Sequence, residues 1–439
     1  MAGQLLEAAN GSAPNSDPRP DIANLGIELK VLPLRDSSGI LQPKERSKIK
    51  SLNYDEILKE DWETSALKKK IQQILFFLYE QPIGCSYKEW RDFKFLGTLL
   101  YQLEKESPEI VETDWKNIKE KVAQHEAHLL SEGDGKVLGA STSGTGNQVI
   151  YAENHAAKQR SYSLKHSFLK YYYLKTVKKV RFHSLFPDEK AAPEELITKK
   201  LNIALEGRKL GELADEFKID YSTTAKSAFS NLLRQILKSS DLAKAEELVR
   251  EGIVIKTVPL NPATMNAWEA MSFPKFSLAD LKEEDWDGDA SEEGDIYNES
   301  TFRALISQKF IFVPVLKIKV KNAESGKQEF EHWNEWKVGQ SLVWTPDEYE
   351  FKTIMEEWRT AQQTIAKDEL QVEQVNWGKG TRQENNLLKE KQTDFIHIRP
   401  HARDSKDIDI PFFKVSGIRI SWQSFWLNKK FVSGLFQSE

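Results

Sequence analysis

The sequence contains one cysteine, Cys85, in 439 residues. A lone thiol excludes an intramolecular disulfide and any cysteine-built zinc cluster, and it fits a reducing cytoplasm. Long hydrophobic runs are also missing. Apolar stretches such as 74–79 and 310–316 are too short to span a bilayer and read as buried strands. The N-terminus has neither the basic start nor the apolar stretch of a signal peptide, so a cytoplasmic protein without a membrane partner is expected. The eight histidines show no metal-ligand spacing. The glycine-rich stretch 139–146 (GASTSGTG) lacks the Lys-Ser/Thr ending of a phosphate-binding P-loop. Its composition suits a flexible loop entering a groove.

What is present is a globular composition, 39% hydrophobic and 29% charged, in a chain long enough for two or three domains. The net charge of −5 argues mildly against a polyanionic partner, but the average conceals segregation. From Lys158 to Arg181 eight Lys and Arg residues occur with no acid between them. From Asp280 to Glu299 ten acids face only Lys282. The local field decides where a polyanion lies. The acidic stretch 285–299 and the polar stretch Val375–Lys391 are expected to be exposed loops.

An internal repeat organises the chain. GIELKVLPL at Gly26–Leu34 recurs as GIVIKTVPL at Gly252–Leu260. In the same order, Glu89-Trp90-Arg91 matches Glu335-Trp336-Lys337, Asp114-Trp115 matches Glu357-Trp358, and the segment from Tyr162 to Phe168 matches that from Phe425 to Phe431. Four ordered matches indicate a duplicated domain. The boundary falls near 185–193 (LFPDEKAAP), with two prolines. Helical patterns over 194–205, 210–217 and 221–239 open the second copy; the first has no such lead-in. Strand and helix patterns mix in both copies, so two tandem α/β domains are expected, over 1–184 and 190–439.

Asp21, Glu28 and Lys30 carry the chemistry. Ile27–Leu32 reads as a strand ended by Pro33, so Glu28 and Lys30 share a face. Asp21 lies one turn earlier, where the chain can bring it alongside. Two converging carboxylates suit a hard cation such as Mg²⁺, and an adjacent lysine can oppose charge developing on a phosphate. Glu-x-Lys is also common on solvent faces. Here, however, the two charges interrupt an apolar strand, which costs stability unless they are solvated or paired.

These residues resemble a known family. RPDIANLGIELKVLPL (Arg19–Leu34) is similar to the core motif of the MutH and Sau3AI-type restriction endonucleases, within the PD-(D/E)xK nucleases. NYDEILKEDWETSALKKKI (Asn53–Ile71) resembles the segment that follows it. AKQRSYSLKHSF (Ala157–Phe168) and AMSFPKFSLADL (Ala270–Leu281) look Sau3AI-like. VGQSLVWTPDEYE (Val338–Glu350) and FIHIRPHAR (Phe395–Arg403) are similar to the C-terminal part of MutH.

The resemblance implies a mixed-sheet restriction-endonuclease fold, metal ligation by Asp21 and Glu28, a catalytic Lys30, a second active-site lysine at Lys70 and a further acid at Glu7. In the second copy Val254 replaces Glu28, Lys256 keeps the lysine, Glu247 falls at the first acid's position and Ile306 at that of Lys70. That copy should not cut. The resemblance makes it a DNA-binding effector, with Arg399, Arg403, Lys429 and Lys430 near its cleft. Arg160, Lys165 and His166 are the expected DNA contacts of the first copy. The implied activity is Mg²⁺-dependent double-strand cleavage at GATC in double-stranded DNA, by a dimer or by looping between two sites. A MutH-like nicking enzyme and a DNA-binding protein that does not cut are the alternatives.

Overall fold

In the computed structural model, residues 19–437 are described apart from 38, 86, 143–146, 188–191, 221–223, 291–295, 323–325, 378–379 and 405. Among the described residues no helix is long and apolar enough to cross a membrane. The nearly continuous apolar run after Gly26 forms β1 (Ile27–Ser37). It pairs antiparallel with β2 (Ile40–Pro43) and parallel with β4 (Gln73–Glu80), and β4 pairs antiparallel with β5 (Lys94–Gln102). Burial on both faces is what an apolar strand with a parallel neighbour requires. The strand does not stop at Pro33. The Pro33 carbonyl turns toward the β2 side, where it accepts from Lys44 N–H. The missing proline N–H therefore points to an edge where β2 pairing begins only at Leu34.

A second, antiparallel sheet is formed by β3 (Ser47–Leu52), β6 (Leu138–Thr142) and β7 (Arg160–Leu164), with β7 in the centre. Around these sheets lie α1 (Ala66–Ile71), α2 (Pro108–Ala123) and α3 (His166–Thr176). One core joins them, running from Leu32 to Tyr173 and including Trp62 and Trp115.

The second half repeats this plan. Helices α4 (Pro193–Leu205), α5 (Leu210–Glu216), α6 (Ala225–Ile236) and α7 (Glu246–Glu251) lead into β8 (Ile253–Leu260). Then come β9 (Met271–Phe276), α8 (Leu278–Glu283), α9 (Thr301–Ile306), β10 (Lys309–Leu316), α10 (Glu348–Ala366), β11 (Ile396–Pro400), β12 (Gln423–Leu427) and α11 (Lys429–Gly434). The parallel register Ile253↔Lys309 and Lys256↔Phe312 reproduces Ile27↔Gln73 and Lys30↔Phe76. The sheet β9-β12-β11 reproduces β3-β7-β6. The first face of β8 and β10 packs on a core running to Val432, and the second is covered by α4, α5 and α6.

Buried carboxylates show the duplication at atomic detail. Asp114 on α2 accepts the backbone N–H groups of Lys136, Val137 and Leu138 at the start of β6. Glu357 on α10 accepts those of Asp394, Phe395 and Ile396 at the start of β11. Trp115 and Trp358, one residue on, are each buried.

Two expected loops are not loops. Val372–Trp377 and Gly380–Asn385 form an antiparallel hairpin, because alternating polar side chains tolerate a two-sided solvated ribbon. The described part of the acidic stretch is not exposed as a whole. Asn298 and Glu299 are buried against the first copy. There Glu299 lies 2.5 Å from Arg46, which also contacts Glu132 at 3.0 Å. Arg303 closes the square through Glu132, at 2.9 Å, and Glu299. Lys44 reaches Glu45 at 2.9 Å and the Asn298 side chain at 3.1 Å. These acids were readable as charge but not as one side of an interface.

Candidate active site

The turn ahead of β1 sets the site. Ile22 pairs with Ile27 across it, and Gly26 takes φ +65°, a left-handed conformation that favours glycine. The reversal returns Asp21 to the side of β1, where its Oδ2 accepts Leu29 N–H at 2.8 Å. Glu28 and Lys30 project from the same face of β1. Lys70 comes from α1, whose N-cap is Ser65; the Ser65 hydroxyl accepts the Lys68 N–H. The helix thus holds its last turn over the strand.

Glu28 is 1% exposed. Its Oε1 lies 3.3 Å from Lys30 Nζ and accepts a hydrogen bond from Lys70 Nζ at 3.1 Å. Burial pushes the Glu28 carboxyl above the usual carboxylate range; Lys30 and Lys70 oppose that shift, and Asp21 adds to it. Glu28 Oε2 is buried and has no hydrogen-bond partner among the described residues. An orphaned carboxylate oxygen beside a second carboxylate fits an oxygen-seeking cation. Among the described residues no three His, Cys, Asp or Glu side chains come together as a metal cluster. Among the described residues the candidate donors are two carboxylates, Asp21 and Glu28, a number that suits an ion that keeps several waters. Glu7 lies outside the described residues.

The equivalent place in the second copy is different. Val254 stands at the Glu28 position in the strand register. Lys256 donates to the Ser272 carbonyl at 2.6 Å, and burial brings its ammonium down to about 8. Ser300 caps α9 as Ser65 caps α1. Counted from the caps, Leu305 stands where Lys70 does, not Ile306. One extra residue between α9 and β10 accounts for the offset. Glu247 does not come to this site either. It sits in α7 and binds Ser184 and the backbone N–H groups of Leu185 and Phe186.

The structure gives the three basic residues expected to meet DNA in the first copy other partners. Arg160 is buried and donates to the Ala140 carbonyl at 3.1 Å. Lys165 is buried and donates to the Gly135 carbonyl at 2.8 Å. Its counterpart Asn428 donates to the Thr393 carbonyl at 2.8 Å, at the same place in the repeat. Lys165 thus fixes the turn ahead of β6 instead of presenting a cation at the surface. His166 Nε2 bonds the Pro43 carbonyl at 2.9 Å. The described part of the glycine-rich stretch, Gly139–Thr142, belongs to β6, and 143–146 lie outside the described residues. Arg399, Arg403, Lys429 and Lys430 are exposed. Arg399 pairs with Glu390 beside Trp426.

A mixed sheet whose strand β1 gathers two carboxylates and two lysines, one of the lysines from α1, fits a DNA-cleaving hydrolase with a restriction-endonuclease-like fold. The comparisons agree. The family model for the DNA mismatch repair enzyme MutH matches residues 11–114. The chain is Sau3AI-like throughout: it is 26% identical to the type II restriction enzyme Sau3AI of Staphylococcus aureus over 469 aligned positions, covering 98% of this chain and 91% of that one. It is 31% identical to the DNA mismatch repair protein MutH of Shewanella amazonensis over 137 residues, or 31% of this chain and 58% of MutH. The MutH protein of Shewanella baltica OS155 is 29% identical over the same length.

Proposed function

We propose that the protein is a type II restriction endonuclease that makes Mg²⁺-dependent double-strand cuts in DNA at GATC. Residues 1–184 form its cutting domain and residues 190–439 a DNA-binding effector domain. The observation that carries this reading is the meeting of Asp21, Glu28, Lys30 and Lys70 in one copy of a duplicated fold, while the other copy has Val254 and Leu305 in the places of Glu28 and Lys70.

Asp21 and Glu28 would hold the ion, Glu28 through its orphaned Oε2. When bound, the ion polarises the scissile phosphate and acidifies a nearby water. Lys30 and Lys70 oppose the upward shift that burial gives the Glu28 carboxyl, which favours the ionised form that binds a cation. Their ammonium groups also oppose the negative charge that builds on the phosphate oxygens in the transition state. The backbone bond from Leu29 N–H fixes the Asp21 carboxylate without using up its second oxygen.

Exposed Arg399, Arg403, Lys429 and Lys430 suit phosphate contacts on the effector domain. Purified protein incubated with unmethylated plasmid carrying several GATC sites tests the whole reading. Mg²⁺-dependent linear fragments ending at GATC, absent with EDTA, are expected. The match of the MutH family model to the first copy favours a second reading, a nicking enzyme. Nicked circles without linear product would establish it. Arg399→Ala with Arg403→Ala should change how cleavage depends on a second site in the same molecule. Unaltered two-site dependence would leave the second domain without an effector role through these residues.

A further inference from the structure

Where the second copy has lost its carboxylate, a cavity of about 1360 Å³ opens between the two copies. It exceeds the ~300–1,000 Å³ of ordinary small-molecule pockets. Val254, Lys256 and Leu305 line it, so this is the counterpart of the cutting site. Its electrostatics are reversed. In the cutting site two lysines face two carboxylates. Here Lys256 faces none; Lys226 from α6 is close enough to lower its ammonium further, and Lys170 from α3 of the first copy lines the same cavity.

Lys170 is the telling residue. It is largely buried, and no ion pair or hydrogen bond of its side chain is found among the described residues. Desolvation alone lowers its ammonium below the usual lysine value. A buried cation without a partner is costly unless a ligand supplies the opposite charge. The acids that line the same cavity have other partners; Asp36 accepts the Gly39 N–H at 2.9 Å. Asp280 lies 3.0 Å and Glu284 3.7 Å from Arg35. Glu269 lies toward Lys317, which stands 4.0 Å from the Trp336 ring. Trp422, with Lys275 4.6 Å from its ring, and Trp426 add flat apolar surface to the wall. Cations for phosphate beside aromatic rings for a base are the two components of nucleotide recognition.

We infer that the vestigial site between the copies binds a nucleotide unit without metal, its phosphate held by Lys226 and Lys256, its base against the tryptophan wall, and Lys170 adding uncompensated positive charge to the same cavity. This goes beyond the cleavage reading and does not depend on it. Loss of Glu28 and Lys70 counterparts converted a cation site into an anion site, completed by a lysine from the first copy. The unit is either a free nucleotide or one nucleotide of a DNA strand.

Isothermal titration of the full chain in EDTA, so that no cleavage enters, tests this. The probes are inorganic phosphate, deoxyadenosine 5′-monophosphate and a 5′-phosphorylated single-stranded tetranucleotide. The monophosphate should bind more tightly than inorganic phosphate, and the Lys170→Ala/Lys226→Ala double variant should weaken it by roughly tenfold or more. Among the described residues neither lysine has an ion-pair partner to lose, so the variant should keep the parent melting temperature. Glu28→Gln should bind the probe unchanged even though it cannot cut. Tetranucleotide binding tighter than monophosphate identifies a DNA strand as the source, and equal binding identifies a free nucleotide. No heat with the nucleotides, binding of inorganic phosphate alone, or binding indifferent to the double variant overturns the inference.

Discussion

Lys70 Nζ donates to Glu28 Oε1 at 3.1 Å across 42 positions of sequence, from the last turn of α1 to β1. The contact couples a helix to the strand that carries the acids, and Lys70 is therefore expected to matter for cleavage and little for DNA affinity. Lys70→Ala should lower the cleavage rate by about 10²–10³-fold, the usual effect of removing one preorganised charge from a transition state. Lys256→Ala, at the vestigial site, should leave the cleavage rate of a single-site substrate nearly unchanged. Single-turnover kinetics on both variants compare them. Equal losses in the two would remove the distinction drawn between the copies.

Glu28→Gln retains the shape of the side chain and removes its charge. Cutting should be abolished while DNA binding in EDTA persists, because phosphate affinity rests on lysine and arginine and not on the carboxylate. Gel-shift and cleavage assays on the same preparation decide it. Loss of binding with an unchanged circular dichroism spectrum would speak against Glu28 as a metal ligand.

Arg46 ties the copies together. It touches Glu132 of its own copy and Glu299 of the other, and Arg303 answers it from the far side. Four buried or half-buried carboxylates, Glu45, Glu132, Asp287 and Glu299, share Lys44, Arg46 and Arg303. The excess acid is felt at Glu299, where burial, with Glu132 and Glu45 adding, pushes the carboxyl up to about 8 against the pull of Arg46. Arg46→Ala removes the buried cation that Glu132 and Glu299 share, and a loss of about 3–5 kcal/mol in thermal or denaturant unfolding is expected. Glu299→Gln should cost much less, since it keeps the shape of the side chain and relieves the excess of acid in the cluster. A small effect of Arg46→Ala would show that the copies are held by packing instead.

His166 makes the protein sensitive to acid. Burial brings its imidazole down to about 4 from an ordinary 6.5, with Lys170 and Lys44 adding to the shift and the Pro43 carbonyl opposing it. A depressed folded-state value means that the folded form prefers the neutral ring. Its stabilising effect is complete above about pH 6.5 and is lost as pH falls through 4, to a limit of about 3 kcal/mol. His166→Gln removes the titration and should lower the midpoint of acid unfolding. An unchanged midpoint would place the acid response in the carboxylates alone.

Much of this was legible along the chain. The repeat could be read because two strands of the same apolar pattern begin after a glycine, Gly26 and Gly252, each in the left-handed conformation. The match of Asp114 to Glu357 looked like helix similarity and proved to be one capping device used twice. The basic run 158–181 misled, because charge in sequence says nothing about direction. Lys165 points inward to a carbonyl, as the uncharged Asn428 does in the other copy. The run of acids after Asp280 misled for the same reason.

The sequence by itself determined the duplicated mixed-sheet fold and the identity of Asp21, Glu28 and Lys30 as one group. A strand of period two and a glycine turn bring those three together by local geometry alone. The resemblance pointed to Lys70, but only the tertiary structure decided that its ammonium meets Glu28, that Leu305 stands at its place in the second copy, and that acids of one copy pair with Arg46 of the other. Those relationships join residues tens to hundreds of positions apart. They depend on how helices dock and on which charges desolvate together, and neither is written in the local pattern.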